Sequence, residues 1–204
     1  MSDLEFIEDS HTYTYNGVVL PSVTQIISDI FPDKYANVNK RVLNNKAMFG
    51  TEGHKIIEEL DVRDMESAQR YVRDIKNKDL QICLREYLRL VKKYDIKPLE
   101  HEMKTNYGYI YAGTLDMIAN VNKEFSLIDV KFTRELDYSY LSWQLGMYAL
   151  AVENYLTDYF KKYYCLWLPK GDLGQLVEIQ PKTKDEILKK LSELGYIKGC
   201  KLRW

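Results

Sequence analysis

Most features that would announce a function from composition alone are missing. No apolar run approaches the length that spans a bilayer, so no membrane helix is expected. The first ten residues, MSDLEFIEDS, are acidic and contain no apolar stretch of the kind a secretory leader needs, which predicts a chain that stays in the cytosol. Cysteine is scarce: Cys83, Cys165 and Cys200 have no zinc-finger or zinc-ribbon spacing, and an odd count without a leader predicts reduced thiols. Excess charge is missing too. At a net charge of −1 the chain is not a bulk-basic nucleic-acid binder, and any phosphate contact must come from local patches. There is no internal repeat, low-complexity tract or evident linker. No GxxxxGK[ST] phosphate loop occurs, so any DNA unwinding would need a partner.

What is present is an ordinary globular composition. The 204 residues are 46% apolar, enough for one buried core, and a single domain over residues 1–204 is expected. Charge is unevenly spread. Residues 1–33 carry six acids and no Lys or Arg, while residues 34–55 carry Lys34, Lys40, Arg41, Lys46 and Lys55 against Glu52. The stretch from Lys182 to Trp204 is basic again. Each patch alone reads as a solvated helix face; phosphate contact becomes the better reading only beside a nuclease site.

Residues 12–20, TYTYNGVVL, read as a hairpin turning at Asn16-Gly17. Ser22 is placed to cap a helix carrying Val23, Ile26, Ile27 and Ile30, which Phe31-Pro32-Asp33 ends. Helical spacing continues to about residue 94, including Leu80, Leu84, Tyr87, Leu88 and Val91 as a core stripe. After Pro98 the pattern turns to strands over residues 98–104, 108–121 and 125–132. A helix follows over 138–156, then strands near 160–168 and 175–179, and a last amphipathic helix over 182–194. SLIDVKF, short and apolar, suits a central strand. The order predicts a mixed α/β fold, with a hairpin and helical part (1–95), a sheet part (96–180) and a C-terminal helix with a basic tail (181–204).

The chemistry concentrates in residues 113–132. Asp129 and Lys131 are two apart on one expected strand, so they share a face. A hairpin would bring Asp116 from the preceding strand beside them. Two carboxylates and an amine on one sheet face are costly unless a cation joins them, and carboxylate oxygens suit Mg²⁺ or Mn²⁺. The plainer alternative is an Asp129–Lys131 salt bridge; the apolar flanks Leu127, Ile128, Val130 and Phe132 argue that any such pair is buried.

The spacing D-(x)n-D-x-K, here Asp116, Asp129 and Lys131, resembles the core motif of the PD-(D/E)XK nuclease superfamily, and its flavour is similar to the RecB-like and phage-exonuclease branch. AGTLD (residues 112–116) resembles that branch's aGtiD strand, GTEGH (50–54, then Glu58) its GTxxH helix, and Gln144 with Tyr148 its QxxxY helix. An acidic strand, Leu99-Glu100-His101-Glu102, precedes AGTLD, and the match runs over about residues 20–150. The resemblance implies a restriction-endonuclease-like core, a central mixed sheet flanked by helices. It implies Asp116 and Asp129 as metal ligands, helped by the Val130 carbonyl and by His54. It implies Glu102, or alternatively Glu100, as the supporting acid, and Lys131 as the catalytic lysine. Gln144 and Tyr148 would support the lysine or contact DNA. Three unpaired cysteines cannot supply the four-cysteine iron–sulfur cluster of some relatives, so none is expected. Phe49 stands where a basic residue is common in that branch, which removes one expected phosphate contact.

The expected activity is a Mg²⁺- or Mn²⁺-dependent deoxyribonuclease, an exonuclease of phage or mobile-element recombination, replication or repair, in a bacterial or phage-infected cytosol. DNA is the expected partner, with an annealing protein or a helicase as a further one; oligomeric state leaves no signature. Two alternatives stand beside it. A structure-selective endonuclease or nickase would cut closed circular DNA. A DNA-binding or assembly module retaining the fold without activity would not bind Mn²⁺. His101 is given no role and His11 a structural one.

Overall fold

Asn16 and Gly17 both take positive φ, 48° and 78°, as a tight hairpin turn between twisted strands requires. The turn joins β2 (Thr12–Tyr15) to β3 (Val18–Leu20), and β1 (Leu4–Ile7) adds to the outer edge of β2 in antiparallel register. The computed structural model describes residues 4–8, 10–34, 40–153, 155–156 and 159–197; Cys200 and the end of the basic tail lie outside them. After β3 the chain is stitched to a second sheet where the Ala112 amide donates to the Pro21 carbonyl at 3.0 Å. Ser22 then caps α1 (Val23–Ile30): its hydroxyl accepts from the Gln25 amide, and the Gln25 side chain accepts from the Ser22 amide in return. The expected stop comes at Phe31.

Three helices follow: α2 (Lys40–Asp61), α3 (Met65–Asp74, capped by Asp64) and α4 (Lys78–Lys93, capped by Asn77). The second sheet is mixed, with spatial order β4 (Lys97–Tyr107), β5 (Tyr111–Val121), β6 (Glu124–Lys131), β7 (Lys162–Trp167), β8 (Gln175–Glu178). Its one parallel pair is β6 with β7. A parallel pair needs a crossover, and α5 (Tyr138–Val152) provides it. The last helix is α6 (Lys184–Glu193). Strand β6 is central, as expected from SLIDVKF: Leu127, Ile128 and Val130 are all buried.

Helices cover both faces of this sheet. On one side Ile57, Leu60, Leu84 and Tyr87 from α2 and α4 pack with Met117, Ala119, Ile128 and Val130. On the other, Val23, Ile27, Leu141, Leu145 and Ile187 from α1, α5 and α6 pack with Leu115, Ile118 and Leu127. Burying these apolar faces is the main favourable term in the fold. The alternation of β5 slips at one point. Leu115 belongs to the second cluster and Met117 to the first, although residues two apart ordinarily share a face. Asp116 sits at that slip. No helix among the described residues is long and apolar enough to cross a membrane.

Two elements differ from the sequence expectation. β1 carries no turn or periodicity signal of its own and exists by pairing with β2. The helix expected to reach residue 156 ends at Val152, where the Tyr155 and Leu156 amides both turn back to the Val152 carbonyl. The Tyr155 hydroxyl then donates to Asn106 Oδ1 at 2.6 Å, tying this corner to β4.

Candidate metal centre

Asp116 stands where β5 and β6 part. Their ladder ends at Met117↔Ile128, and beyond it the Val130 amide donates to Asp116 Oδ2 at 2.7 Å in place of a main-chain partner. The carboxylate therefore fills the gap between the strands, which accounts for the slip in alternation. In a strand a residue's N–H and C=O point to the same edge, so the Val130 carbonyl opens toward the same gap. On β4 the pairs His101↔Met117 and Met103↔Leu115 leave Glu102 opposite Asp116. Glu102 has φ 46°, an uncommon value for a residue with a side chain.

His54 reaches this pair from α2. Its Nδ1 lies 3.5 Å from Glu102 Oε1 and 3.8 Å from Asp116 Oδ2. One ligand atom from each of His54, Glu102 and Asp116 falls within 4.8 Å of the others, a spacing that could hold a metal ion. Burial pulls the His54 pKa down, but the Asp116 charge and the Glu102 contact outweigh it and leave the imidazole above its ordinary value. The arrangement favours a positive charge at this point. Of the two acids considered for the supporting role, Glu102 is the one in the group; Glu100 is not.

Asp129 and Lys131 project together on β6, one strand away. Asp129 is 1% exposed. Lys131 Nζ lies 2.7 Å from each Asp129 oxygen and is aligned for a hydrogen bond to Oδ1 alone. Oδ2 is buried without a well-directed donor. Burial raises the Asp129 pKa to about 6 despite the neighbouring ammonium, and the Asp116 charge adds to the rise. Lys131 is pushed the other way by burial, yet the Asp129 and Asp116 charges together hold its pKa above the usual range. The salt bridge and the metal site were rival readings of the sequence. The pair is present and buried, and Asp129 stands outside the three converging ligands.

Gln144 and Tyr148 face inward from α5. Tyr148 lies over Gly113, where a Cβ would come within 2.8 Å of the ring, so the glycine of AGTLD makes room for the tyrosine. Burial and then the Asp116 charge push the Tyr148 hydroxyl well above its ordinary pKa. Gln144 is 5% exposed, and its Oε1 has no hydrogen-bond partner among the described residues. In GTEGH the two glycines differ. A Cβ on Gly53 would lie 2.4 Å from the Phe132 ring, whereas one on Gly50 would meet nothing within 4 Å. Phe132 in turn stands edge-on to His54 and to Phe49.

Two clefts meet here. One, of about 510 Å³, is lined by His54, Glu58, Glu102, Asp116, Tyr148 and residues of the hairpin. The other, of about 770 Å³, is lined by Lys34, Lys46, Lys131 and Arg134, with Glu135 and Asp137 among them. Thr24 and Gln144 line both. Lys34 and Lys46 belong to the basic stretch noted in the sequence. Tyr13 was not anticipated: its hydroxyl is 2.8 Å from Thr114 Oγ1, and it walls the first cleft. His11, expected to be structural, packs edge-on against Phe6 and also lines that cleft. Phe49 is core, 8% exposed, with Lys170 Nζ 3.6 Å above its ring. No family model and no curated protein matches the chain.

Proposed function

We propose that the chain is a Mg²⁺- or Mn²⁺-dependent deoxyribonuclease of the PD-(D/E)XK superfamily, built on a restriction-endonuclease-like core. The observation that carries the reading is the convergence of His54, Glu102 and Asp116 beside the buried Asp129–Lys131 pair. One imidazole nitrogen and several carboxylate oxygens suit a hard divalent ion. Asp129 Oδ2, on the neighbouring strand, has no well-directed donor and is a further buried acceptor. His54, Glu102 and Asp116 would hold the ion, with Asp129 and the Val130 carbonyl completing its shell. When bound, it would supply Lewis-acid activation of a phosphodiester and of the attacking water.

The chain's own residues do the rest. Asp116 is fixed by the Val130 amide, so it needs no reorganisation to bind. Asp129 keeps Lys131 charged and aimed. The ammonium would stabilise negative charge growing on the phosphate. Gln144, buried where the two clefts join, offers an unsatisfied acceptor that could orient a water proton. The basic cleft would take the phosphates flanking the scissile one.

Asp116→Asn keeps an acceptor for the Val130 amide and so folds, but it loses the charge. Cleavage of linear DNA with Mn²⁺ is expected to fall about 10²–10³-fold. Full Mn²⁺-dependent activity in this variant would remove the assignment. The finer reading is an exonuclease in phage or mobile-element DNA metabolism. Closed circular DNA should then survive under conditions that degrade its linear form, and cutting of the circle would move the reading to an endonuclease.

A further inference from the structure

Away from the clefts, three polar side chains meet inside the helical layer. Tyr87 of α4, fully buried, donates its hydroxyl to the Asp61 carboxylate at the end of α2. His101 of β4 brings Nε2 to 3.0 Å from Asp61 Oδ2, slightly off the line of a hydrogen bond. The Asp61 side chain is only 7% exposed and that of His101 only 16%. Buried groups of this kind are costly unless they satisfy one another, so the three lock α2, α4 and β4 together at one point.

That point is next to the metal centre on two elements at once. His101 is the neighbour of Glu102, and Asp61 follows His54 by two helical turns on α2, on nearly the same side. Adjacent strand residues ordinarily point to opposite faces. Here His101 meets Asp61 while Glu102 meets His54, so both reach the same helix. The left-handed φ of 46° at Glu102 is what permits it. β4 and α2 are thus held by two contacts: one would share a metal, the other is buried and closed by Tyr87.

We propose that Asp61, Tyr87 and His101 are positioning residues that hold Glu102 against His54 and thereby set the affinity of the centre for a divalent ion. The affinity part rests on the metal-binding reading above; the spacing part does not. None of the three belongs to the converging ligand group. They act through the register of β4 on α2, and Glu102, with its side chain 45% exposed, has little else to hold it in place.

The test uses the full chain with two readouts. One is the Mn²⁺ dissociation constant by calorimetry; the other is the His54 Cε1–H resonance in metal-free protein at a fixed pH. His101→Leu and Tyr87→Phe are expected to weaken Mn²⁺ binding about tenfold and to move the His54 resonance. Asp61→Asn, which keeps the shape and one acceptor, should shift both less and serves if either other variant folds poorly. His101→Gln, whose amide can donate to Asp61, should restore part of the affinity. Leu84→Ala, in the same apolar cluster, should lower the melting temperature and leave both readouts where they were. If Mn²⁺ binds and neither readout moves in the three clamp variants, the positioning role is overturned. If the wild-type chain binds no Mn²⁺ but the resonance still moves, the clamp on His54–Glu102 spacing stands and the metal reading falls with the affinity claim.

Discussion

Asp129 and His54 hold protons more tightly in the folded chain than out of it, for different reasons. Burial, opposed by Lys131, raises the Asp129 pKa to about 6. Asp116 and Glu102 outweigh burial at His54 and raise it too. The signs agree. A group whose folded pKa lies above its unfolded value contributes stability at low pH and loses it as pH rises through the folded pKa. For Asp129 that loss runs from about pH 4 to about 6, and for His54 it continues past its ordinary value. On the proposed metal-binding reading a divalent ion would take the place of these protons, and its affinity would rise over the same range. The rise in melting temperature caused by saturating Mn²⁺ is therefore expected to be large at about pH 7.5 and nearly absent at about pH 5. Melts at both values, with and without Mn²⁺, read this directly. An equal shift at the two would mean that neither group gives up a proton to the ion.

At the scale of elements, the helix motif GTEGH makes opposite demands on its two glycines. Gly50 lies in α2 with open space around its missing Cβ, and glycine inside a helix costs about 0.5–1 kcal/mol relative to alanine. Gly50→Ala should therefore raise stability by about that amount. Gly53 faces Phe132 at a distance no Cβ can share, and that ring is bracketed by Phe49 and His54. Gly53→Ala should lower stability by about 1–3 kcal/mol and weaken Mn²⁺ binding as the ring presses on His54. Chemical melts and calorimetry of the two variants check the opposite signs. Reading GTEGH as one unit does not reveal this, because the difference comes from a residue 79 positions away, the interval from Gly53 to Phe132.

Legibility followed the same line. The Asn16-Gly17 turn, the Ser22 cap and the apolar β6 strand are local signals, and all three are where the sequence puts them. Asp116 and the Asp129–Lys131 pair stand on neighbouring strands of one sheet, as the spacing expects, and of these three only Asp116 joins the converging group. β1 was missed because four residues carry too little periodicity. The turn of backbone at Glu102 was missed because nothing in a glutamate announces a positive φ. Asp61, Tyr87 and His101 each read as an ordinary helix or strand residue; only the packing of α2, α4 and β4 makes them a cluster.

Over the whole molecule a net charge of −1 conceals a separation of charge. The cleft holding Glu58, Glu102 and Asp116 against Lys55 is acidic on balance; the adjoining cleft, with Lys34, Lys46, Lys131 and Arg134 against Glu135 and Asp137, is basic on balance, although Lys34 is paired with Asp137. On the proposed reading, a polyanion carrying a divalent ion would put the ion at the first and flanking phosphates at the second. The basic C-terminal stretch is different. Lys182 pairs with Glu186, Lys184 with Glu153 and Lys190 with Glu193, each on or beside α6. These three lysines have carboxylate partners, whereas among the described residues Lys46 and Arg134 have none. Lys46→Ala and Arg134→Ala should each weaken DNA binding regardless of sequence and reduce the slope of log affinity against log salt by about 0.7–0.9. Lys184→Ala and Lys190→Ala should change neither affinity nor slope. Fluorescence anisotropy with labelled DNA across a salt series, in chelator so that no cleavage occurs, separates the two sets. A loss confined to the α6 variants would put the DNA on α6 and break the proposed link between the basic cleft and the candidate metal centre.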